Sequence, residues 1–344
     1  MEALNLFKMP SMSIPFSNNP NVLLPPRTTT TTTSLSVFNE KQQTDNWNGL
    51  KFIRGKKLLK DLTTWGIGGP CNYFLQVSDQ TQLISAIRYC HEHSIRYIII
   101  GKGSNCLFDD LGFDGCVILN RIEFFERKEA GMYRVGSGFR FNRLGIHCSN
   151  QGFTGLEFAG AIPATVGGAT YMNAGANAQE IGDVIDSVDV VTVQGKLQRL
   201  QKNDLNFGYR SSTFQDMKDL AAIVVVTFQL QESGSARTKQ KECSERRRTT
   251  QPLGERTAGS VFRNPLNVGV AAAELIEKAG LKGFRIGGAV VSNVHANFFV
   301  NVGNSTSRDM LDLIALVKNK VDQKFGVQLK EEVLYFHPHC TDLD

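Results

Sequence analysis

The chain has 344 residues, of which 41% are hydrophobic and 21% charged, and a formal net charge of +5. These values are typical of a globular protein with room for two or three domains. They exclude a membrane-spanning protein, since no apolar run approaches about 20 residues. The charge excess is too small to indicate a nucleic-acid-binding protein, although it suits anionic ligands.

The first 45 residues differ in composition from the rest. They include the unbroken threonine run Thr28–Thr33 and many Ser, Pro and Asn residues. Such a polar tract cannot bury a core. It predicts a disordered transit peptide for residues 1–45, directed to the plastid stroma because Ser and Thr outweigh Arg. A disordered tail without targeting function is the alternative.

The seven cysteines are scattered and form no C-x-x-C motif. Their odd number and spacing indicate a reducing compartment. The terminal cluster His337-Pro-His-Cys340 has no second pair of candidate ligands. We therefore interpret it as a solvated tail and predict no metal site.

The first predicted elements alternate strand and helix. A strand over Asn72–Val77 is followed by a helix capped by Asp79, and a second strand over Tyr97–Ile100 leads into the glycine turn Gly101–Asn105. The backbone N–H groups of such a turn can face an anion. It does not match G-x-G-x-x-G opening a helix, so a Rossmann unit is unsupported.

A second, longer glycine-dense segment lies in the middle of the chain, over Gly155–Gly175. A predicted helix through Phe141 and Cys148 precedes it. Backbone with so few side chains can approach a flat or charged ligand closely. Two such loops in one domain predict a large cofactor that contains a pyrophosphate.

The last third of the chain reads as a separate unit. The charged stretch from Gln231 to Gln251 predicts an exposed linking helix. Ala271–Ala279 predicts a helix that ends at Gly280, and Thr306-x-x-Asp309 is a capping box for a long helix that ends at Gly326. The mixture of short strands and few long helices indicates an α+β protein.

Eight stretches together resemble the UDP-N-acetylenolpyruvoylglucosamine reductases, the MurB family of flavoenzymes. The resemblance covers about Leu58 to Phe336, and the short interval from Arg210 to Ser260 resembles the subtype without a tyrosine-bearing insertion. The matching stretches are residues 64–70, 101–105, 155–175, 207–212, 258–265, 275–283, 285–288 and 331–333.

The resemblance implies a fold and an activity. The fold would be an FAD-binding region of the vanillyl-alcohol-oxidase (PCMH) type with two α+β subdomains over residues 46–232. A substrate domain would follow over 233–344, its last strand returning to the flavin. The activity would be NADPH-dependent reduction of an enolpyruvyl ether to a lactyl ether, with hydride passing from flavin N5 to C3. The product would be UDP-N-acetylmuramate. We expect a monomer with FAD as cofactor and NADPH as donor.

The same resemblance implies roles for named residues. Arg210 matches the cation that binds the substrate carboxylate, Ser260 the proton donor to C2, and Glu332 the acidic partner on the carboxylate. The FAD-binding candidates are Gly101, Gly103, Ser104, Asn105, Ile162, Pro163, Thr165, Gly167, Asn173 and Gly175. The substrate-binding candidates are Tyr209, Asn264, Lys282 and Arg285.

Four departures from the family pattern bear on ligand binding. Gly66 stands where an arginine is usual, Lys102 and Ala164 replace glycines, and Asn293-Val294 replaces a more charged pair. Lys102 either adds a cation near the pyrophosphate or strains the turn. Two alternatives follow: an FAD-dependent oxidase or dehydrogenase acting on another substrate, and an inactive flavin- or nucleotide-binding relic.

Overall fold

The computed structural model describes residues 44–47, 49–55 and 57–338. The predicted transit peptide lies outside these residues apart from Thr44 and Asp45, which belong to the first strand. His339 and Cys340 of the terminal cluster also lie outside them. No helix in the described ranges is long and apolar enough to span a bilayer.

The first subdomain is a five-stranded sheet covered by one helix. Asp79 accepts a hydrogen bond from Gln82 N–H and so begins this helix, as predicted. Leu83, Ile87 and Cys90 on its inner face are fully buried against the sheet. In chain order the elements are β1 (Thr44–Trp47), β2 (Leu50–Arg54), β3 (Cys71–Val77), α1 (Gln80–Glu92), β4 (Tyr97–Ile100), β5 (Cys106–Phe108) and β6 (Phe113–Asn120).

The order of strands in this sheet is β1-β2-β3-β6-β4, and β6 pairs in parallel with both β3 and β4. β5 stays outside this sheet. The turn Gly101–Asn105, called here the phosphate loop, therefore connects the end of β4 to a strand that is free to pair elsewhere.

The second subdomain is an antiparallel sheet of order β13-β12-β16-β8-β7, with helices packed on it. The predicted central loop Gly155–Gly175, called here the glycine segment, contains a 3-10 turn (Glu157–Ala161) and a short helix. The elements are β7 (Phe125–Glu129), β8 (Met132–Gly136), α2 (Phe141–Asn150), β9 (Phe153–Thr154), α3 (Val166–Tyr171), β10 (Gly175–Ala176), β11 (Gln179–Glu180), β12 (Ile185–Thr192), β13 (Leu197–Gln201), β14 (Phe207–Gly208), β15 (Ser211–Ser212), α4 (Thr213–Asp216), β16 (Leu220–Gln229) and β17 (Gln231–Glu232).

The charged stretch forms helix α5 (Ala236–Thr250), as predicted, and most of its residues are exposed. One face is not exposed: Ala236 and Gln240 are buried, and α5 packs against α2 and the turn Glu157–Ala161. This contact is possible because Gly160 has no side chain and the Gln240 amide fills that space. The predicted domain boundary at residue 233 is therefore followed by a helix that packs on the preceding domain.

The C-terminal unit has its own apolar core, centred on the long helix α7. Thr306 and Asp309 cap this helix reciprocally, and Gly326 ends it in the left-handed conformation, as predicted. Its core-facing side chains include Met310, Leu313 and Val317, which are fully buried. The elements are α6 (Ala272–Lys278), β18 (Arg285–Ile286), β19 (Ala289–Val291), β20 (Phe299–Asn301), α7 (Ser307–Phe325) and β21 (Leu334–Phe336).

The chain end returns to the first subdomain. β21 pairs in parallel with β5, and Leu334 N–H donates to the Asn105 carbonyl at 3.0 Å. This pairing places residue 332 beside the end of the phosphate loop. It agrees with the expectation that the last strand folds back towards the proposed cofactor site.

Candidate active site

The two glycine-rich regions, far apart in sequence, meet in the structure. A Cβ added at Gly101 would overlap the Thr165 side chain, so the phosphate loop packs directly on the start of α3. Thr165 is buried and its hydroxyl accepts a hydrogen bond from Gly168 N–H at 3.4 Å. Gly167 N–H in turn donates to the Ser137 carbonyl at 2.8 Å. Glycine backbone thus packs closely on the Thr165 side chain where a pyrophosphate would need close approach.

The phosphate loop holds its shape without strain. Gly103 takes the left-handed conformation, with φ of +60°, and Lys102 does not have positive φ. The Gly103 carbonyl accepts from Thr64 N–H at 3.0 Å. Lys102 is exposed, so it leaves the loop accessible. Ala164 likewise avoids positive φ, so its methyl group is tolerated there.

These observations match what an FAD diphosphate requires: a glycine-rich turn with accessible backbone, closed on a second glycine-rich wall. Ser104 and Asn105 are half-buried in the loop, Ile162 is half-buried and Pro163 is exposed in the wall. The residues present therefore fit the cofactor at this position.

Asn173 has a role inside the protein that the sequence did not reveal. It is fully buried, with φ of +42°, and its amide nitrogen donates to Glu180 Oε2 at 2.7 Å and to the Gly208 carbonyl at 2.8 Å. Its amide oxygen accepts from Gly182 N–H at 3.1 Å. Asn173 thereby ties the glycine segment to the hairpin β14–β15.

That hairpin carries Tyr209 and Arg210 at its tip. Arg210 is in the left-handed conformation, with φ of +54°, which a non-glycine residue adopts at some cost. Gln215 Nε2 donates to the Arg210 carbonyl at 3.2 Å. The bond from Gln215 thus helps to hold Arg210 in a backbone conformation that non-glycine residues disfavour.

Arg210 and Glu332, 122 residues apart, form a direct ion pair, called here the carboxylate pair. Arg210 Nε donates to Glu332 Oε1 at 2.8 Å, and Arg210 Nη2 donates to the Gly175 carbonyl at 2.9 Å. Arg210 Nη1 also lies 3.9 Å from Glu180 Oε1. The two paired side chains are 17% and 16% exposed, so their attraction is weakly screened by solvent.

The environment of Glu332 makes its carboxyl group harder to ionise than an exposed one. Burial raises the pKa of Glu332, and the positive charges of Arg210 and Arg263 oppose that rise. Asn105 Nδ2 donates to the Glu332 carbonyl at 3.0 Å, so the last residue of the phosphate loop fixes the glutamate backbone. The carboxylate pair is therefore adjacent to the proposed cofactor site.

Ser260 lies beside this pair along the backbone. Glu332 N–H donates to the carbonyl of Val261, the residue after Ser260, at 2.7 Å. Ser260 also forms an isolated bridge with Phe298. The segments that carry Ser260 and Glu332 are thus hydrogen-bonded neighbours, as a shared site requires.

The candidate substrate residues fall into two groups. Tyr209 and Asn264 meet, because Asn264 N–H donates to the Tyr209 hydroxyl at 3.1 Å, and Arg210 lies 5.0 Å from the centre of the Tyr209 ring. Asn264 Oδ1 accepts from Ala272 N–H at the start of α6. Arg285, by contrast, is exposed and its Nε donates to Gly287 in its own turn. This bond stays within the turn and does not connect Arg285 to Tyr209 or Asn264.

Lys282 belongs to a basic cluster that the sequence did not predict. Burial lowers the pKa of His295, and the charges of Lys282 and Arg247 lower it further. The His295 ring packs edge-on against Phe298, the bridge partner of Ser260, with ring centres 4.7 Å apart. Burial also lowers the pKa of Arg247 to about 10. Lys282 itself is paired with Glu277 at 2.8 Å.

Comparison with known proteins agrees with this geometry. Residues 71–201 match the family profile described as an FAD binding domain, and residues 251–336 match the C-terminal domain of UDP-N-acetylenolpyruvoylglucosamine reductase. Both domain types expected from the resemblance are therefore confirmed. The described residues contain no group of three His, Cys, Asp or Glu side chains able to hold a metal.

The chain is also similar along most of its length to individual UDP-N-acetylenolpyruvoylglucosamine reductases. A UDP-N-acetylenolpyruvoylglucosamine reductase from Protochlamydia amoebophila is 51% identical over 278 residues, which is 81% of this chain and 92% of that protein. One from Chlamydia abortus is 42% identical over 82% of this chain and 93% of its own length. The crystal structure of the Thermus caldophilus reductase (MurB) is 31% identical with a TM-score of 0.69, covering 83% of this chain and 98% of that one.

Proposed function

Because this chain belongs to the UDP-N-acetylenolpyruvoylglucosamine reductase family, we propose that it reduces the enolpyruvyl ether of UDP-N-acetylenolpyruvoylglucosamine to the lactyl ether of UDP-N-acetylmuramate. One observation carries the proposal most strongly: the carboxylate pair, Arg210 with Glu332, is fixed to the end of the phosphate loop through Asn105. A carboxylate-recognising cluster beside an FAD site is what reduction of an enolpyruvyl group requires.

The chain's own residues divide the work between binding and proton transfer. Arg210 binds the substrate carboxylate, where negative charge increases during reduction, and a preorganised cation there lowers the barrier. Glu332 is the acidic partner at the same carboxylate, and burial raises the pKa of its own carboxyl group. Ser260 Oγ holds the proton that ends on C2 of the enolpyruvyl group. Bound FAD would supply the redox chemistry that links NADPH to the enolpyruvyl double bond.

Binding of the cofactor and the nucleotide sugar uses the surrounding backbone. Gly101, Gly103, Ser104 and Asn105 hold the FAD diphosphate, and the wall from Ile162 to Gly175 holds the flavin end. Asn173 supports cofactor binding indirectly, because its side-chain amide donates hydrogen bonds to Glu180 and the Gly208 carbonyl. We assign the UDP diphosphate to Asn264 and Tyr209, with Lys282 as a further candidate.

Three finer assignments belong to the same proposal. The interval between Arg210 and Ser260 supports membership of the subtype that lacks a tyrosine-bearing insertion. The acid-poor, Ser/Thr-rich first 45 residues support delivery to the plastid stroma. That the enzyme is a monomer stays a prediction.

An anaerobic absorption experiment on the purified protein without its first 45 residues tests the proposal. The protein should show a flavin spectrum that NADPH bleaches and that the enolpyruvyl sugar then restores. A protein that stays colourless with added FAD contradicts the assignment, and a flavin that NADPH reduces but the sugar leaves reduced favours the oxidase or dehydrogenase. Binding of the UDP-sugar without turnover identifies the inactive relic.

A further inference from the structure

A second arginine, Arg263, lies on the segment that carries Ser260. Arg263 follows Phe262, whose side chain is buried in the C-terminal core and packs edge-on against Phe299. Arg263 N–H donates to the Lys330 carbonyl at 2.9 Å. The segment therefore runs antiparallel to the strand-like stretch that holds Glu332.

The register of this pairing puts Arg263 and Glu332 on one face. Phe262 is bridged to Glu331, so side-chain alternation turns their flanking residues, Arg263 and Glu332, to the opposite face. Residues two positions apart across such a pair are diagonal neighbours about 7–8 Å apart, within reach of a long side chain. Glu331, on the other face, forms an ion pair with Lys318 at 2.7 Å.

A second set of contacts, through Asn264 and Tyr209, also links the segment that carries Arg263 to the carboxylate pair. Asn264, the next residue, donates its N–H to the Tyr209 hydroxyl, and the Arg210 guanidinium lies over the Tyr209 ring. The positive charge of Arg263 lowers the pKa of both Glu332 and Tyr171, against the effect of burial on each. Arg263 is thus electrostatically coupled to the glutamate of the site.

The two arginines differ in how well their donors are satisfied. Arg210 donates to Glu332 and to the Gly175 carbonyl. Arg263 Nε is shut off from solvent and has no acceptor among the described residues. Buried donors are rarely left without a partner, so this one needs an explanation.

Counting charges indicates a task for this arginine. Arg210 faces two carboxylates of the protein, Glu332 at 2.8 Å and Glu180 at 3.9 Å. A substrate carboxylate would make a third negative group against one cation. Opposing several anions with a single cation in a poorly solvated site is unfavourable.

We propose that Arg263 is the second cation of this site, a positioning residue that balances the Glu332 carboxylate when Arg210 is engaged by the substrate carboxylate. The inference deepens the proposed function and rests on it for the identity of the substrate. Arg263 acts through Glu332 and leaves hydride and proton transfer to other groups.

Arg263→Gln tests this, with Arg263→Lys as the variant that keeps the charge. Stopped-flow absorbance under anaerobic conditions separates flavin reduction by NADPH from flavin reoxidation by the enolpyruvyl sugar. Arg263→Gln should keep NADPH reduction within about twofold, while the sugar concentration for half-maximal reoxidation rises about tenfold or more. Arg263→Lys should restore most of that loss. Arg308→Gln, which removes an exposed arginine on α7, is the matched control and should match wild type.

The pH profile of reoxidation supplies a readout that a purely structural role would not move. Removing a positive charge near Glu332 raises its pKa, so the profile of Arg263→Gln should shift to higher pH while Arg263→Lys stays near wild type. Among the described residues, the charged groups that act on the Glu332 carboxyl are Arg210 and Arg263, and Arg210 also lies 3.9 Å from Glu180.

Three outcomes overturn the inference. These are wild-type reoxidation and pH profile in Arg263→Gln, an equal loss in both half-reactions, and loss of bound flavin in both Arg263→Gln and Arg263→Lys. A wild-type protein whose reduced flavin ignores the sugar refutes the proposed function instead. In that case the ligand-free pKa of Glu332, followed by carboxyl NMR, decides the inference: it must be higher in Arg263→Gln than in wild type.

Discussion

The phosphate loop and the carboxylate pair are neighbours joined through Asn105, yet they are built in opposite ways. The loop is closely packed glycine backbone, with Gly101 against the Thr165 side chain and the Gly103 carbonyl bonded to Thr64 N–H. The pair consists of two charged side chains brought 2.8 Å apart from positions 122 residues apart. A backbone cradle tolerates no added atoms, whereas a side-chain cluster depends on the residues that position it.

This difference explains which contacts a substitution should disturb. At the loop, one added methyl group should weaken cofactor binding while leaving the carboxylate pair in place. At the pair, changes to supporting residues should affect sugar reduction while flavin stays bound. Asn173 stands between the two regions, since it lies in the glycine segment and bonds the hairpin that carries Arg210.

Asn173→Ala should give the largest loss of stability. It leaves the Gly208 carbonyl, Glu180 and Gly182 N–H without their buried partner, and each such group costs about 1–3 kcal/mol. We expect the free energy of unfolding to fall by about 3 kcal/mol, measured by urea denaturation. Asn304→Ala is the matched control, because Asn304 is also left-handed, with φ of +53°, but exposed. Similar losses in both variants would show that backbone conformation alone accounts for the effect.

Gly101→Ala should act mainly on the cofactor. Its methyl group would overlap the Thr165 side chain, and forced overpacking costs about 1–3 kcal/mol. FAD affinity should therefore fall by about ten- to a hundredfold, measured by flavin fluorescence during titration of the apoprotein. Gly234→Ala is the control, since nothing lies within 4 Å of that position. Unchanged FAD affinity in Gly101→Ala would place the cofactor elsewhere.

The smallest expected effect is the pH dependence contributed by Glu332. Its pKa is raised in the folded protein, so the unfolded chain releases this proton first as the pH rises. Stability is consequently lost between the unfolded pKa of about 4.3 and the raised folded value. Glu332→Gln removes that loss, and its free energy of unfolding relative to wild type should increase with pH across this window. A difference that is flat with pH, or that decreases, contradicts the raised pKa.

Much of the fold could be predicted because its signals are local. The caps at Asp79 and Thr306 and the stop at Gly326 each follow from neighbouring residues. The charges of α5 predicted a mostly exposed helix, but not its buried face, because that face depends on the missing side chain of Gly160. That complementarity joins residues 80 positions apart and leaves no periodic pattern.

The candidate site also has parts that the sequence could indicate and parts that only the folded chain reveals. Composition and spacing indicated the two glycine-rich loops, whereas the roles of Arg210, Ser260 and Glu332 came from the family resemblance. Nothing in the sequence singled out Arg263 or Glu180. Their significance comes from the strand register beside Glu332 and from the hairpin β10–β11, which are properties of the folded chain.

The central claim is that the side-chain cluster serves sugar reduction and is separate from the cofactor cradle. Ser260→Ala tests it most directly, by anaerobic stopped-flow measurement of both half-reactions on one preparation. Flavin reduction by NADPH should stay within about twofold of wild type, while reoxidation by the enolpyruvyl sugar should fall by about 10²- to 10⁴-fold. Equal loss in both steps, or undiminished reoxidation, would contradict the account.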